Sequence, residues 1–293
     1  IGMIICSVTV ATRITSFQLP ADRKRAEKMS YEFYIMSGIA VFVGCTWLYR
    51  KGKGAYMMVR KIRSAFKVVN INPASSLADE QYKKLAVGAL YASQQGAYQN
   101  SIKTGIDYEL PQILGEWWGI KNSQDAREKM NYLLEKGFRY YFPYVWQAFL
   151  LSDPKQQDEV FQQYMESQED YDKAVSQLQN LEETYDELIE NKVISSKEDL
   201  KRYGVAGWDA GRVCFLARAC CEMCYITEEE AWQYIDRAYD LVHREFASWH
   251  DLAMSYIIGR SMWGGKKSYN SVMKDNADKL LSDEKSPWVR LQW

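Results

Sequence analysis

The sequence predicts a mainly α-helical domain, built as one multi-helix globular body and preceded by one N-terminal transmembrane helix. Three observations carry that prediction. Apolar residues recur at helical spacing through most of the chain after residue 70, where strand-like alternation is scarce. Ser, Thr or Asn stands ahead of several of these runs, at the positions where helices start. One run, residues 33–49, carries no charge at all. A chain of 293 residues with 47% apolar content is long enough for a sizeable core.

The N-terminal part divides in three. Residues 1–30 are an unassigned N-terminal segment whose apolar start, Ile1–Val10, is too short to span a bilayer. Met29 is the expected native start, and a native peptide extending upstream of it would refute that expectation. Residues 31–49 form the expected span, with Tyr31 and Tyr49 as interfacial ends. Residues 50–76 are a basic flank and linker, in which Arg50, Lys51, Lys53, Arg60, Lys61, Arg63 and Lys67 come with no acid between them. By the positive-inside rule this flank faces the cytoplasm, and it would rest on anionic lipid headgroups. The expected location is therefore a bacterial inner (cell) membrane, single-pass, with residues 77–293 as a cytoplasmic helical domain. Charge supports the division. Residues 1–67 hold twelve Lys/Arg against three Asp/Glu, a net +9, and the remainder carries 25 against 35, a net −10. An acidic body argues against nucleic acid as a partner, because phosphate binding needs clustered Lys and Arg.

Within the domain, Ser76 with Asp79 reads as a capping box that opens a helix to about Gln95, with Leu85, Ala86, Ala89 and Ser93 facing inward. Asn122 caps a helix over 123–136 that stops at Gly137. Residues 138–151 are aromatic-rich and helical in character. Beyond Pro154, Tyr164, Tyr171, Leu178 and Tyr185 repeat every seven residues beside Val160, Ser167, Ala174, Leu181 and Leu188. This predicts one long amphipathic helix over about four heptads, packed on its own domain rather than self-associating. Trp208 to Met223 lie on a further helix, with Asp209 and Arg212 paired on its surface. Thr227 with Glu230, and Ser248 with Asp251, are capping boxes for the last two helices, the second ending at Gly264-Gly265.

The candidate site residues cluster on those last three helices: Trp208, Asp209, Arg212, Arg218, Glu230, Trp232, Trp249, Tyr256, Arg260 and Trp263. Read as framework, the tryptophans anchor the core, and the arginines pair with Asp209, Glu230 or Asp251 or cap carbonyls between helices. Read as a site, two or three arginines converge on an anion while Trp faces stack a ring. The framework reading is the expected one, since buried Arg–carboxylate pairs are common structural devices. Cys221-Glu222-Met223-Cys224, with Cys214 a helical repeat earlier, offers too few ligands for zinc, so small interface thiols are expected and no metal or cofactor. Catalytic residues cannot be named from this pattern.

Trp208-Asp209-x-x-Arg212, Arg218, Ala231-Trp232, Ser248-Trp249 and Tyr256-x-x-Gly259-Arg260-x-x-Trp263 resemble the bacterial domain-of-unknown-function family 1266, the YbeU/YbeR-like proteins. The block Leu114-Gly115-Glu116-Trp117-Trp118-Gly119-Ile120, with Ala126, Leu133-Leu134 and Gly137-Phe138-Arg139, resembles that family's first motif. The likeness covers about residues 79–265. Phe138 stands where that motif usually carries His, so a role for a His there does not transfer. The resemblance implies a helical fold and no established activity. The expected function is a protein-binding or scaffold module with an unidentified protein partner. The alternative is an enzyme or anion-binding domain with an Arg/Trp-lined pocket.

Overall fold

The computed structural model describes residues 67–293. The unassigned N-terminal segment, the expected membrane helix and most of the basic flank, residues 1–66, lie outside the described residues. Among the described residues no helix is long and apolar enough to cross a membrane.

The described chain is mainly helical. In order it forms α1 (Asp79–Leu85), a 3₁₀ turn (Ala86–Gly88), α2 (Ala89–Gln95) and α3 (Leu110–Gln112). Helix α3 runs directly into a π-helical turn (Ile113–Trp117). Then come α4 (Ser123–Glu135), α5 (Phe142–Phe149), α6 (Pro154–Tyr164), α7 (Gln168–Glu190) and α8 (Lys197–Tyr203). The last set is α9 (Ala206–Glu222), α10 (Glu228–Glu245), α11 (Trp249–Gly264), α12 (Asn270–Ser282) and α13 (Pro287–Arg290).

Helices α9 and α11 form the centre. Every residue of α9 from Ala206 to Cys220 is buried, and α11 is buried along almost its whole length. A helix that is apolar all round must be enclosed on all sides. Around α9 pack α10, α11, α4, α2 and the 3₁₀ turn, and α11 adds α7, α8 and α12. The two central helices approach closely because glycines lie at their crossing, Gly207 against the backbone of Leu252 and Tyr256 and Gly259 against Trp208. A Cβ on Gly259 would lie 2.3 Å from the Trp208 Cβ.

Local signals that needed no distant partner hold. Asn122 accepts the N–H groups of Gln124 and Asp125, Thr227 accepts that of Glu230, and Ser248 that of Asp251. Gly137 ends its helix region at φ +54°, and Gly265 caps α11 at the same angle.

Three expectations are corrected. The Ser76–Asp79 box does not form, and Ala78 occupies the N-cap position without a side-chain cap. The segment before it is engaged elsewhere: Asn72 N–H donates to Asn100 Oδ1 at 2.7 Å, and the Ser75 hydroxyl donates to the Asn100 carbonyl. Residues 72 and 75 are thus tied to a later loop. The long heptad segment is two helices, α6 and α7. The break comes because Ser167, a seam residue by spacing, leaves the seam to accept the Asp170 N–H as the N-cap of α7. Ala174, Leu178, Leu181 and Leu188 do form the buried stripe of α7, which packs on α11. Finally, Asp209 and Arg212 pair, but inside the protein, with 0% and 6% of each residue exposed.

Candidate functional site

Helical spacing sets the site. Trp208 and Arg212 are one turn apart on α9, and Tyr256, Arg260 and Trp263 form a stripe on α11. With Gly259 offering no Cβ, the Trp208 ring lies against α11. It meets Tyr256 edge-on at 5.0 Å and Trp263 at 6.0 Å between centroids.

Arg212 is held from three directions. Its Nε donates to the Trp208 carbonyl at 3.0 Å, and an Nη donates to Asp209 Oδ1 at 2.5 Å. The guanidinium carbon lies 4.4 Å from the Trp208 ring centroid, 5.2 Å from Phe138 and 5.6 Å from Trp118. Asp209 in turn accepts the Phe138 and Arg139 backbone N–H groups at 3.0 Å each. A Cβ on Gly137 would collide with that carboxylate at 2.4 Å, so the glycine is required by both its φ and its neighbour. Burial pushes the Asp209 carboxyl up, against the pull of Arg212 and the two N–H groups. Both oxygens only accept from N–H donors, which is the pattern a carboxylate needs.

A cavity of about 570 Å³ opens beside this pair. Trp208, Arg212, Arg260 and Trp263 line it, joined by Trp117 of the π turn, by Trp118 directly after it, and by Tyr91, Gln94 and Gln95 from α2. Trp117 and Trp263 are more than half exposed and stand at its mouth. Tyr91 accepts the Trp118 indole N–H at 3.0 Å, and Tyr256 donates to Gln94 Oε1 at 2.6 Å. Burial raises both phenols, so they remain neutral. The Trp208 indole N–H is buried without a hydrogen-bond partner among the described residues. Arg260 donates through Nε to the Ser268 carbonyl at 2.9 Å and lies 5.9 Å from the Trp263 ring. No carboxylate pairs with it among the described residues, and none lines the cavity. A second cavity of about 650 Å³ shares Trp117, Trp118, Arg212 and Trp263 with the first, and carries Lys129, Lys173, Glu169 and Asp172 beyond them.

The remaining predicted residues fall elsewhere. Arg218 is fully buried and donates to the Tyr98 and Lys103 carbonyls at 2.5 and 3.3 Å, so it fastens the 98–104 loop. Burial pulls its guanidinium down. Glu230 makes a fork with Arg127 at 2.6 and 2.9 Å near the surface. Trp232 donates to Glu228 on the same helix. Trp249 stacks on Trp288 and donates to the Leu291 carbonyl at 2.8 Å, anchoring the C-terminal segment. Asp251 pairs with Arg202 rather than with a motif arginine. Cys214 packs under the 3₁₀ turn, while Cys221 is half-buried and Cys224 is exposed beyond the end of α9, so the three thiols do not share one face.

Sequence reasoning does not single out Trp117, Trp118, Tyr91, Gln94 and Gln95 as site residues. The adjacent tryptophans of the first motif are the available signal for two of them.

No curated protein and no solved structure matches the chain. A family model described as "Protein of unknown function (DUF1266)" matches residues 113–293, starting at the π turn and running through α12 and α13 to the last residue. That span, which contains Trp117, Trp118 and the Arg/Trp stripes of α9 and α11, covers most of the chain and identifies it as a member of the DUF1266 family.

Proposed function

We propose that the protein binds a small molecule carrying an anionic group and a flat apolar part, in the cavity between α2, the π turn, α9 and α11. The observation that carries this reading is Arg260. Its guanidinium faces a tryptophan-lined cavity and is anchored through Nε alone, leaving its remaining N–H groups without a carboxylate among the described residues. A charge so placed is poised for a ligand anion, and the surrounding rings supply stacking area. The lining offers no His, Cys, Asp or Glu, so binding is better supported than bond-making chemistry.

Calorimetric titration of the chain with a panel of aryl anions tests this. Binding that weakens roughly 10- to 100-fold in Arg260→Gln, the range for losing one charge-assisted hydrogen bond, is expected. Retained affinity in a folded Arg260→Gln variant would refute it. The protein-scaffold reading instead predicts that only a macromolecule engages Trp117 and Trp263. The expected span 31–49, uncharged from residue 33 onward, and the basic flank Arg50–Lys67 carry a separate proposal from sequence, a membrane tether. Release of the native protein from membranes by alkaline carbonate would refute the tether.

A further inference from the structure

We infer that the anion is a monocarboxylate attached to an aromatic ring, and that phosphate monoesters are excluded from the same cavity. This inference rests on the ligand-binding reading above.

Charge is the first argument. Two guanidiniums line the cavity, but Arg212 is matched by Asp209 at 2.5 Å, whose carboxylate also absorbs the Phe138 and Arg139 N–H groups. One unmatched positive charge remains, on Arg260. A monoanion completes that balance. A dianion would leave one negative charge without a partner among tryptophan rings, which is unfavourable in a partly desolvated site.

The helix ends give the second argument. Gln94 and Gln95 are the last residues of α2, and Arg260 and Trp263 lie in the last turn and a half of α11. Both helices therefore direct the negative end of their dipoles toward the cavity, which opposes every anion, but a dianion about twice as strongly as a monoanion. Phosphate sites use the opposite arrangement, a helix N-terminus with free N–H groups. The N-terminus nearby belongs to α9, and its donors are already taken. Gly207 N–H donates to Ser255 Oγ at 3.0 Å, Trp208 N–H goes to the Val205 carbonyl at 3.1 Å, and Asp209 supplies a negative charge in that first turn.

The third argument is the unused donor. The Trp208 side chain lines the cavity, the residue is 3% exposed, and its indole N–H has no partner among the described residues. Buried donors in a native protein are normally satisfied. This one is closed off as the cavity stands, so a bound acceptor completes it only when the indole edge turns toward the ligand. A carboxylate has two oxygens and four lone-pair directions, enough to serve a guanidinium and an indole together. The four tryptophans and Tyr91 then enclose the ring that bears it.

The test uses one scaffold with three headgroups. Naphthalene-2-carboxylate, its neutral carboxamide and 2-naphthyl phosphate are titrated calorimetrically into the full chain at pH 8. The carboxylate should bind at least about 10-fold more tightly than either of the others. Lowering the pH to 5 turns the phosphate from dianion to monoanion, with its second pKa near 6, and should tighten its binding severalfold while the carboxylate changes little. Tyr91, the phenol of the lining, is held up by burial and stays neutral over that interval. Trp208→Phe should weaken the carboxylate severalfold more than the carboxamide. Phosphate bound as tightly as carboxylate at pH 8 would overturn the inference and leave the anion-binding reading standing. Carboxylate bound no better than carboxamide would overturn both.

Discussion

Gly259 and Trp208 occupy a single space: a Cβ on the glycine would lie 2.3 Å from the tryptophan Cβ and 2.8 Å from its Cγ. The contact is backbone-near on both sides, so no rotamer change relieves it. Gly259→Ala must push α11 away from α9 and displace the Trp208 ring from the cavity wall. Overpacking of this kind costs about 1–3 kcal/mol, read as a fall in urea midpoint with a change in tryptophan fluorescence. Gly115→Ala is the contrast, because a Cβ there would meet nothing within 4 Å and the glycine's φ is ordinary. That variant should be neutral or more stable by up to about 1 kcal/mol. Equal losses in the two would show that helix approach is not what Gly259 provides.

Asp209 and Arg212 should behave as one unit. Asp209→Asn leaves a buried guanidinium without its counter-charge and turns one of two acceptor oxygens into a donor that opposes an N–H group. A loss of about 3–5 kcal/mol is expected for breaking such a pair from one side. Arg212→Met should also be costly, while the double variant should lose well under the sum of the two. Additive losses in a denaturation double-mutant cycle would sink the idea that the pair is coupled.

Acid should loosen the packing of α7 through Asp170. Its carboxyl is held down to about 2, first by Lys136 at 2.7 Å and then by the Tyr141 and Ser167 hydroxyls, against the effect of burial. A depressed carboxyl contributes stability that is complete above its ordinary value of 3.8 and is lost as pH falls toward about 2. The contribution is about 2 kcal/mol at most. Asp170→Asn and Lys136→Met should each flatten the stability profile between pH 4 and 2, measured by urea titration at successive pH values.

A second pH effect should appear at the C-terminus. His243 lies between Tyr239, at 3.8 Å, and Trp293, at 4.2 Å and nearly parallel. Burial pulls its imidazole below the usual 6.5, opposed by the bond to the Tyr239 carbonyl, with Lys83, Asp240 and Glu80 as the nearby charges. The folded state then resists a proton that the unfolded chain accepts, so stability should decline as pH drops below 6.5. His243→Gln should remove that slope between pH 6.5 and 5. An unchanged slope would place its origin elsewhere.

What the sequence made legible follows from the range of each interaction. Asn122, Thr227 and Ser248 cap within three residues, so their helix starts could be read directly. Ser76 failed because Asn72 and Ser75 bond across more than twenty residues to Asn100. The heptad pattern ran through the α6–α7 break unaltered, since a capping serine can occupy a seam slot without disturbing the count. Arg212 and Arg218 look alike on one helix, yet they face different neighbours, and only Arg212 reaches the cavity. Trp208 and Trp249 differ in the same way. Gln94 could not be anticipated, because it is held by Tyr256 of α11, 162 residues beyond, and Tyr91 is held by Trp118 from beyond the intervening loop.

The π turn over Ile113–Trp117, closed by the Trp118 N–H on the Ile113 carbonyl at 3.2 Å, takes one residue more than an α turn would. Each added residue rotates everything after it by about 100° around the helix axis. The two adjacent tryptophans reach the cavity by virtue of that count. Half of the tryptophan lining is therefore encoded as chain length, and no substitution scan would reveal it. Removing Gly115 alone should restore ordinary winding and swing Trp117 and Trp118 off the wall, with every lining side chain still present in the sequence.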